Sequence, residues 1–140
     1  MSDDKFASPD IIRDLLENSK IIAVVGLSDK PERPSFDVAS YLKANGYTII
    51  PVNPTKDEIL GEKSYPDLKS IPDSIDIVDV FRRSDAVGPI VDEAIEVGAK
   101  AVWFQEGVVN KEAAEKALNA GLKVVMNRCM LKERERLMSN

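Results

Sequence analysis

Five apolar runs recur along the chain: KIIAVVG at 20–26, YTIIPVN at 47–53, IDIVDVF at 75–81, KAVWFQ at 100–105 and LKVVMN at 122–127. Each is rich in valine and isoleucine and nearly continuous, the pattern of parallel strands buried on both faces. The stretches between them have helical spacing. Ser35 is placed to cap FDVASYLKAN, which stops at Gly46; residues 84–97 stop at Gly98; Asn110 is placed to cap KEAAEKALNA, which stops at Gly121. Glycine just past a periodic stretch ends a helix in the left-handed region. Pro89 moves the start of the regular 84–97 helix toward Val87, because proline belongs in a first turn. Ser8 and Pro9 open a further helix over PDIIRDLLEN, and the tail MLKERERLMS reads as a charged helix against the sheet. The connection 54–74 has little pattern, with a short helix expected in YPDLKSI.

Strand alternating with helix predicts an α/β fold, formed by residues 1–140 as one domain. The expected architecture is a doubly wound, Rossmann-like five-stranded parallel sheet of order 3-2-1-4-5 with helices on both faces. Ligands of such sheets bind beyond the carboxyl ends of the strands. Function is therefore sought at Gly26-Leu27-Ser28, Asn53-Pro54, Phe81-Arg82-Arg83, Gln105-Glu106-Gly107 and Asn127-Arg128-Cys129.

Composition narrows the chemistry. The net charge is −5 and there is no histidine. The acidic balance disfavours nucleic acid and anionic membranes as partners. Without histidine there is no imidazole acid–base catalysis, phosphohistidine chemistry, histidine metal ligand, or Ser-His or Cys-His nucleophile pair. A single cysteine, Cys129, excludes an internal disulfide framework and leaves no ligand set for structural zinc. No apolar run approaches membrane-spanning length, and MSDDKFASPD lacks the apolar core of a signal peptide. The expectation is a cytoplasmic protein that binds a small molecule and no metal.

The strand ends refine this. Gly26 permits a sharp turn and close approach of a phosphate; Ser28 offers a hydroxyl; Ser35 opens a helix whose N-terminus favours an anion; Arg33 and Lys30 add charge. The second and third glycines of G-x-G-x-x-G are absent, Ser28 and Pro31 standing in their places. A plain strand-to-helix connection is the alternative. At the second strand, Asn53-Pro54-Thr55-Lys56 lacks the carboxylate that NAD-binding folds set against the ribose diol, and Lys56 suits a ribose phosphate. Arg82 and Arg83 leave the third strand together, one for the ligand and the other for solvent or an acidic partner. Gln105 and Gly107 suit a polar ligand or a turn. Asp76, Asp79 and Trp103 read as structural, Glu106 as solvated, and Ser84 as a helix cap. Cys129, next to Arg128, is the candidate redox residue, with a buried inert thiol as its alternative.

Taken in order, VVGLSDKPERPS (24–35), YTIIPVNP (47–54), EILGEKSYPDL (58–68), IDIVDVFRRS (75–84), AVWFQEGV (101–108) and VVMNRC (124–129) resemble the stand-alone coenzyme A-binding proteins of the CoA-binding Rossmann family. The fold is similar to the CoA-binding half of succinyl-CoA synthetase alpha subunits and of NDP-forming acyl-CoA synthetases. The resemblance spans nearly the whole chain. It implies that Gly26, Leu27 and Ser28 cradle the pyrophosphate of coenzyme A, with Arg33, Pro34 and Ser35 continuing that loop into its helix. Asn53 and Pro54 would line the nucleotide site with Lys56 near its phosphates. Phe81 and Arg82 would flank the adenine or ribose, and Gln105 and Gly107 would contact the coenzyme further along. The family more usually has Asp where this chain has Asn127.

The synthetases phosphorylate a histidine in a domain beyond the CoA-binding half, and this sequence contains neither. The expected function is thus a non-catalytic module for coenzyme A or acyl-CoA: a carrier, sensor or regulator. One alternative is an NAD(P)-binding oxidoreductase or a subunit of one. Another is a CoA-binding subunit that docks with a separate acyl-CoA synthetase chain. Cys129 would form a mixed disulfide with the CoA thiol if the pantetheine arm reaches it.

Overall fold

The computed structural model describes residues 5–138, so residues 1–4 and Ser139, the last residue of the expected tail helix, lie outside the described part. The strands are β1 (Ile21–Val25), β2 (Thr48–Val52), the two-residue β3 (Glu58–Ile59) and β4 (Glu62–Lys63), β5 (Ile77–Val80), β6 (Ala101–Phe104) and β7 (Lys123–Met126). The helices are α1 (Pro9–Asn18), α2 (Pro34–Ala44), α3 (Val87–Glu96), α4 (Lys111–Asn119) and α5 (Met130–Met138). Among the described residues, no helix is long and apolar enough to cross a membrane.

The five apolar runs form one parallel sheet, ordered β2-β1-β5-β6-β7. This is the expected doubly wound, Rossmann-like α/β architecture. The order keeps the expected 3-2-1-4-5 pattern: the third place, beyond β2, is reduced to a parallel bridge from Tyr65 to Val52, and the apolar run 75–81 takes the fourth place beside β1. The connection 53–76 sets this arrangement. Its Leu68, Ile71 and Ile75 pack on the sheet face covered by α3 and α4, opposite the face that holds α2. A right-handed crossover on the opposite face runs in the opposite direction, so β5 lands beside β1 instead of beyond β2. The point where the winding reverses therefore lies between β1 and β5.

Side-chain alternation divides the core into two layers. Ile22 and Val24 of β1 meet Ile12, Leu16, Val38, Leu42 and Met130 from α1, α2 and α5. Ala23 and Val25 meet Val87, Val91, Ala113 and Ala117 from α3 and α4. Strands buried on both faces read as unbroken apolar runs, the signal that located them.

Most helix ends follow local chemistry. Ser8 accepts from the N–H of Ile11 and Asn110 from that of Ala113. A single 3-10 turn, Ser84–Ala86, precedes α3 at Val87, as Pro89 requires. The YPDLKSI segment forms a 3-10 turn at Leu68–Ser70, capped by Asp67. Two expected caps differ. Helix α2 starts one residue before Ser35, at Pro34, with Arg33 as a cap lacking a side-chain bond. Proline fills that first position because its φ is preset and it has no N–H to satisfy. Ser84 does not cap either; its Oγ accepts from the N–H of Val109 at 2.9 Å.

Candidate functional site

Helix α2 leaves β1 on one face and α3 follows β5 on the other, so the loops after these adjacent strands diverge and open a crevice at their carboxyl ends. A cleft of about 1150 Å³ lies there. Of the residues expected at the site, Gly26, Ser28, Arg33, Pro34, Ser35, Asn53, Pro54, Lys56, Phe81, Arg82, Gln105 and Cys129 line it. Leu27 and Gly107 do not.

Gly26 has φ +87°, and a Cβ there would stand 2.2 Å from the carbonyl oxygen of Phe81. The glycine is thus required by the close crossing of two strand exits. Leu27 is fully buried with its side chain in the α1, α2 and α5 layer. What it offers is its carbonyl, which accepts from Asn53 Nδ2 at 3.0 Å. Asn53 Oδ1 accepts from the Thr55 N–H and Oγ1, so this side chain ties the first loop to the second. Within the first loop, the Ser28 N–H donates to Ser35 Oγ at 3.0 Å, and the Lys30 N–H donates to Ser28 Oγ at 3.1 Å. Both hydroxyl oxygens act as acceptors, which leaves each its own proton to give to a ligand.

Charge is concentrated at the rim. Lys56 pairs with Asp29 at 3.1 Å, Lys132 with Glu106 at 2.9 Å, and Arg83 with Asp85 at 3.2 Å. Lys30, Arg33 and Arg82 line the cleft without a carboxylate partner among the described residues. Of the two arginines leaving β5, Arg83 is held by Asp85, and Arg82 has no carboxylate partner among the described residues. Glu106, read from sequence as solvated, accepts a hydrogen bond from Lys132 and, together with its charge, holds that ammonium above its usual range. A positive island in a chain of net charge −5 favours an anionic ligand at this one place.

The other end of the cleft lies where β6 and β7 lead toward α5. Gln105 is 4% exposed, and its Oε1 accepts from the N–H of Met130 at 3.3 Å. Cys129, half-buried, precedes α5, and Leu131 and Lys132 line the same wall. Gly107 lies outside the cleft at φ +92°, its N–H donating to Asn127 Oδ1 at 2.7 Å. Asn127 itself is left-handed, φ 62°, a conformation asparagine tolerates well. Its role is to bridge two turns, which leaves a carboxylate there no evident ligand function. Sequence reading missed Asp29, Asp37, Leu131 and Lys132 as lining residues. The last two had no local signal, since only the placement of α5 brings them to the cleft.

Of the residues read as structural, Trp103 and Asp76 make hydrogen bonds that tie elements together, and Asp79 makes none. Trp103 is fully buried and its Nε1 donates to Arg128 O at 2.9 Å. Asp76 accepts from the N–H groups of Lys20 and Ile21. Burial pushes its carboxyl up, but those two bonds and the Lys100 ammonium outweigh burial and hold it below the usual range. Asp79, fully buried between Val24 and Trp103 of the flanking strands, has neither oxygen hydrogen-bonded.

Comparison with known proteins follows the same line. Residues 20–135 match the family model described as a CoA binding domain. The uncharacterized protein YneT of Bacillus subtilis strain 168 is 47% identical over 119 residues, 85% of this chain and 88% of that protein. A hypothetical protein of known structure from Pyrococcus horikoshii OT3 is 46% identical with a TM-score of 0.92, over 96% of this chain and 94% of that one. The ADP-forming acetate–CoA ligase II of Archaeoglobus fulgidus is 36% identical over 114 residues, 80% of this chain but 17% of the ligase.

Proposed function

This chain belongs to the family of CoA binding domains, and from that membership we propose that its cleft binds coenzyme A or an acyl-CoA without catalysing a reaction on it. The observation that carries the reading is the convergence of Lys30, Arg33 and Arg82, none with a carboxylate partner among the described residues, on one cleft of about 1150 Å³. That volume exceeds a drug-sized pocket and suits a long ligand with phosphates at one end. The Ser28 and Ser35 hydroxyls and the α2 N-terminus add donors for the pyrophosphate. Asn53, Pro54 and Lys56 line the nucleotide end, Phe81 and Arg82 flank it, and Gln105 meets the arm.

The non-catalytic part rests on the chemistry of the chain. Without histidine, the cleft lacks an imidazole to carry a proton or phosphoryl group. The ligase relative is far longer than the matched segment, which favours one further reading, that the domain serves a separate catalytic chain.

Titration calorimetry with CoA, acetyl-CoA and NAD tests the proposal. The expected result is one CoA per chain and no heat with NAD. Tight NAD binding with none for CoA would return the cleft to the oxidoreductase reading. Turnover of acyl-CoA by the purified chain would refute the non-catalytic part.

A further inference from the structure

The end of the cleft nearest α5 holds groups that phosphate binding does not use. Gln105 is nine-tenths buried and lines the cleft, and its Oε1 is engaged by the Met130 N–H. Its Nε2 makes no hydrogen bond among the described residues and is a donor awaiting an acceptor. Cys129 adjoins Met130, lines the same wall, and stands just before α5, its carbonyl accepting from the Glu133 N–H at 2.9 Å. Lys132 lies within electrostatic range of that sulfur, although Glu106 is its ion-pair partner. This end is set apart from the phosphate end. From β2, which leads to Lys56, to β6, which leads to Gln105, there are three strand spacings, about 14 Å.

On the reading that the cleft holds coenzyme A, phosphates anchored near Arg33 and Lys56 send the pantetheine arm along this length. Its amide carbonyls are acceptors of the kind Gln105 Nε2 lacks, and its terminus is a sulfur. We propose that Cys129 is a thiol-exchange site for the coenzyme's own sulfur, fed by CoA disulfide. The Cys129 thiolate attacks one sulfur of the CoA–S–S–CoA bond. That bond breaks, a Cys129–S–S–CoA bond forms, and the second CoA leaves as a thiolate that takes up the proton shed by Cys129. One disulfide is consumed and one is made, so no further oxidant is needed. The product holds the coenzyme covalently until a thiol reduces it, which makes the domain report the oxidation state of the CoA pool.

The test incubates the full chain with CoA disulfide or, separately, with glutathione disulfide at equal concentration, and follows intact mass. The expected result is one CoA added, reversed by dithiothreitol and absent in Cys129→Ser. Because the cleft holds the nucleotide end first, the CoA adduct should form on the order of tenfold faster than the glutathione adduct. Gln105→Leu should slow the CoA reaction and leave the glutathione reaction alone. Calorimetry with reduced CoA on wild type and Cys129→Ser separates the two readings. If both bind CoA yet no adduct forms, or it forms no faster than with glutathione, this inference is overturned while the binding proposal stands. If neither binds CoA, the binding proposal fails and takes the inference with it.

Discussion

Asp79 offers the sharpest test of how the core is built. Its carboxyl sits between Val24 and Trp103, fully buried, with neither oxygen bonded. Burial pushes its pKa well above the ordinary 3.8, because an ion there would lose its hydration without recompense. In the unfolded chain the same group ionises near pH 4. Between those two values the folded state holds one proton more than the unfolded state. Stability then falls with rising pH, by about 1.4 kcal/mol per pH unit. It is fully present below the unfolded value and is lost as pH climbs through the folded one. With a urea m-value of about 2 kcal/mol/M, that slope lowers the midpoint by up to roughly 0.7 M per pH unit, and pH 5 and pH 6 sample it above the unfolded value. Asp79→Asn removes the proton equilibrium, so the difference between wild type and variant isolates it. The background is quiet, since the chain has no histidine to titrate in that interval. Urea unfolding at both pH values is the assay. Parallel curves for wild type and Asp79→Asn would mean that the carboxyl is hydrated or ionised, and the reasoning would fail.

Other predictions concern the cleft. Gly26→Ala should cost about 1–3 kcal/mol from the left-handed backbone alone, with more from the encounter with Phe81; thermal unfolding reads the loss, and an unchanged melting point would contradict the crossing. Arg82→Ala should weaken CoA binding by roughly 10–100-fold, the range for a charged hydrogen bond, while Arg83→Ala, whose side chain is paired with Asp85, should change it little; calorimetry that reverses this ranking rejects the assignment. Asp29→Asn releases Lys56 and removes a negative charge from the rim, so CoA affinity at low salt should rise by a few fold. An unchanged affinity would show that Lys56 is not recruited.

The fold was legible where physics is local. Parallel strands covered on both sides leave continuous Val and Ile runs, and Gly46, Gly98 and Gly121 end their helices by backbone conformation. The doubly wound order was legible, but not that its third place shrinks to the bridge at Tyr65, because residues 53–76 carry no periodic pattern to declare a strand or a side. The cleft was legible as a set of strand ends but less so atom by atom. Nothing near Gly26 in sequence announces that Phe81, fifty-five residues on, will cross it. Leu27 and Gly107 sit at strand ends like their neighbours, yet one turns into the core and the other faces a turn. Lys132 entered the site only through the docking of α5.

The first loop spends a backbone donor on itself: the Ser28 N–H is taken by Ser35, and the two serines are left with only their hydroxyl protons to offer. A glycine-rich nest grips an anion with fixed backbone dipoles held close against it. Here that grip passes to long, water-facing ammonium and guanidinium arms, whose pull fades within a Debye length of about 8 Å at physiological ionic strength. Occupancy of the cleft should therefore follow the ionic strength around it, and adding potassium chloride should empty it well before the fold gives way.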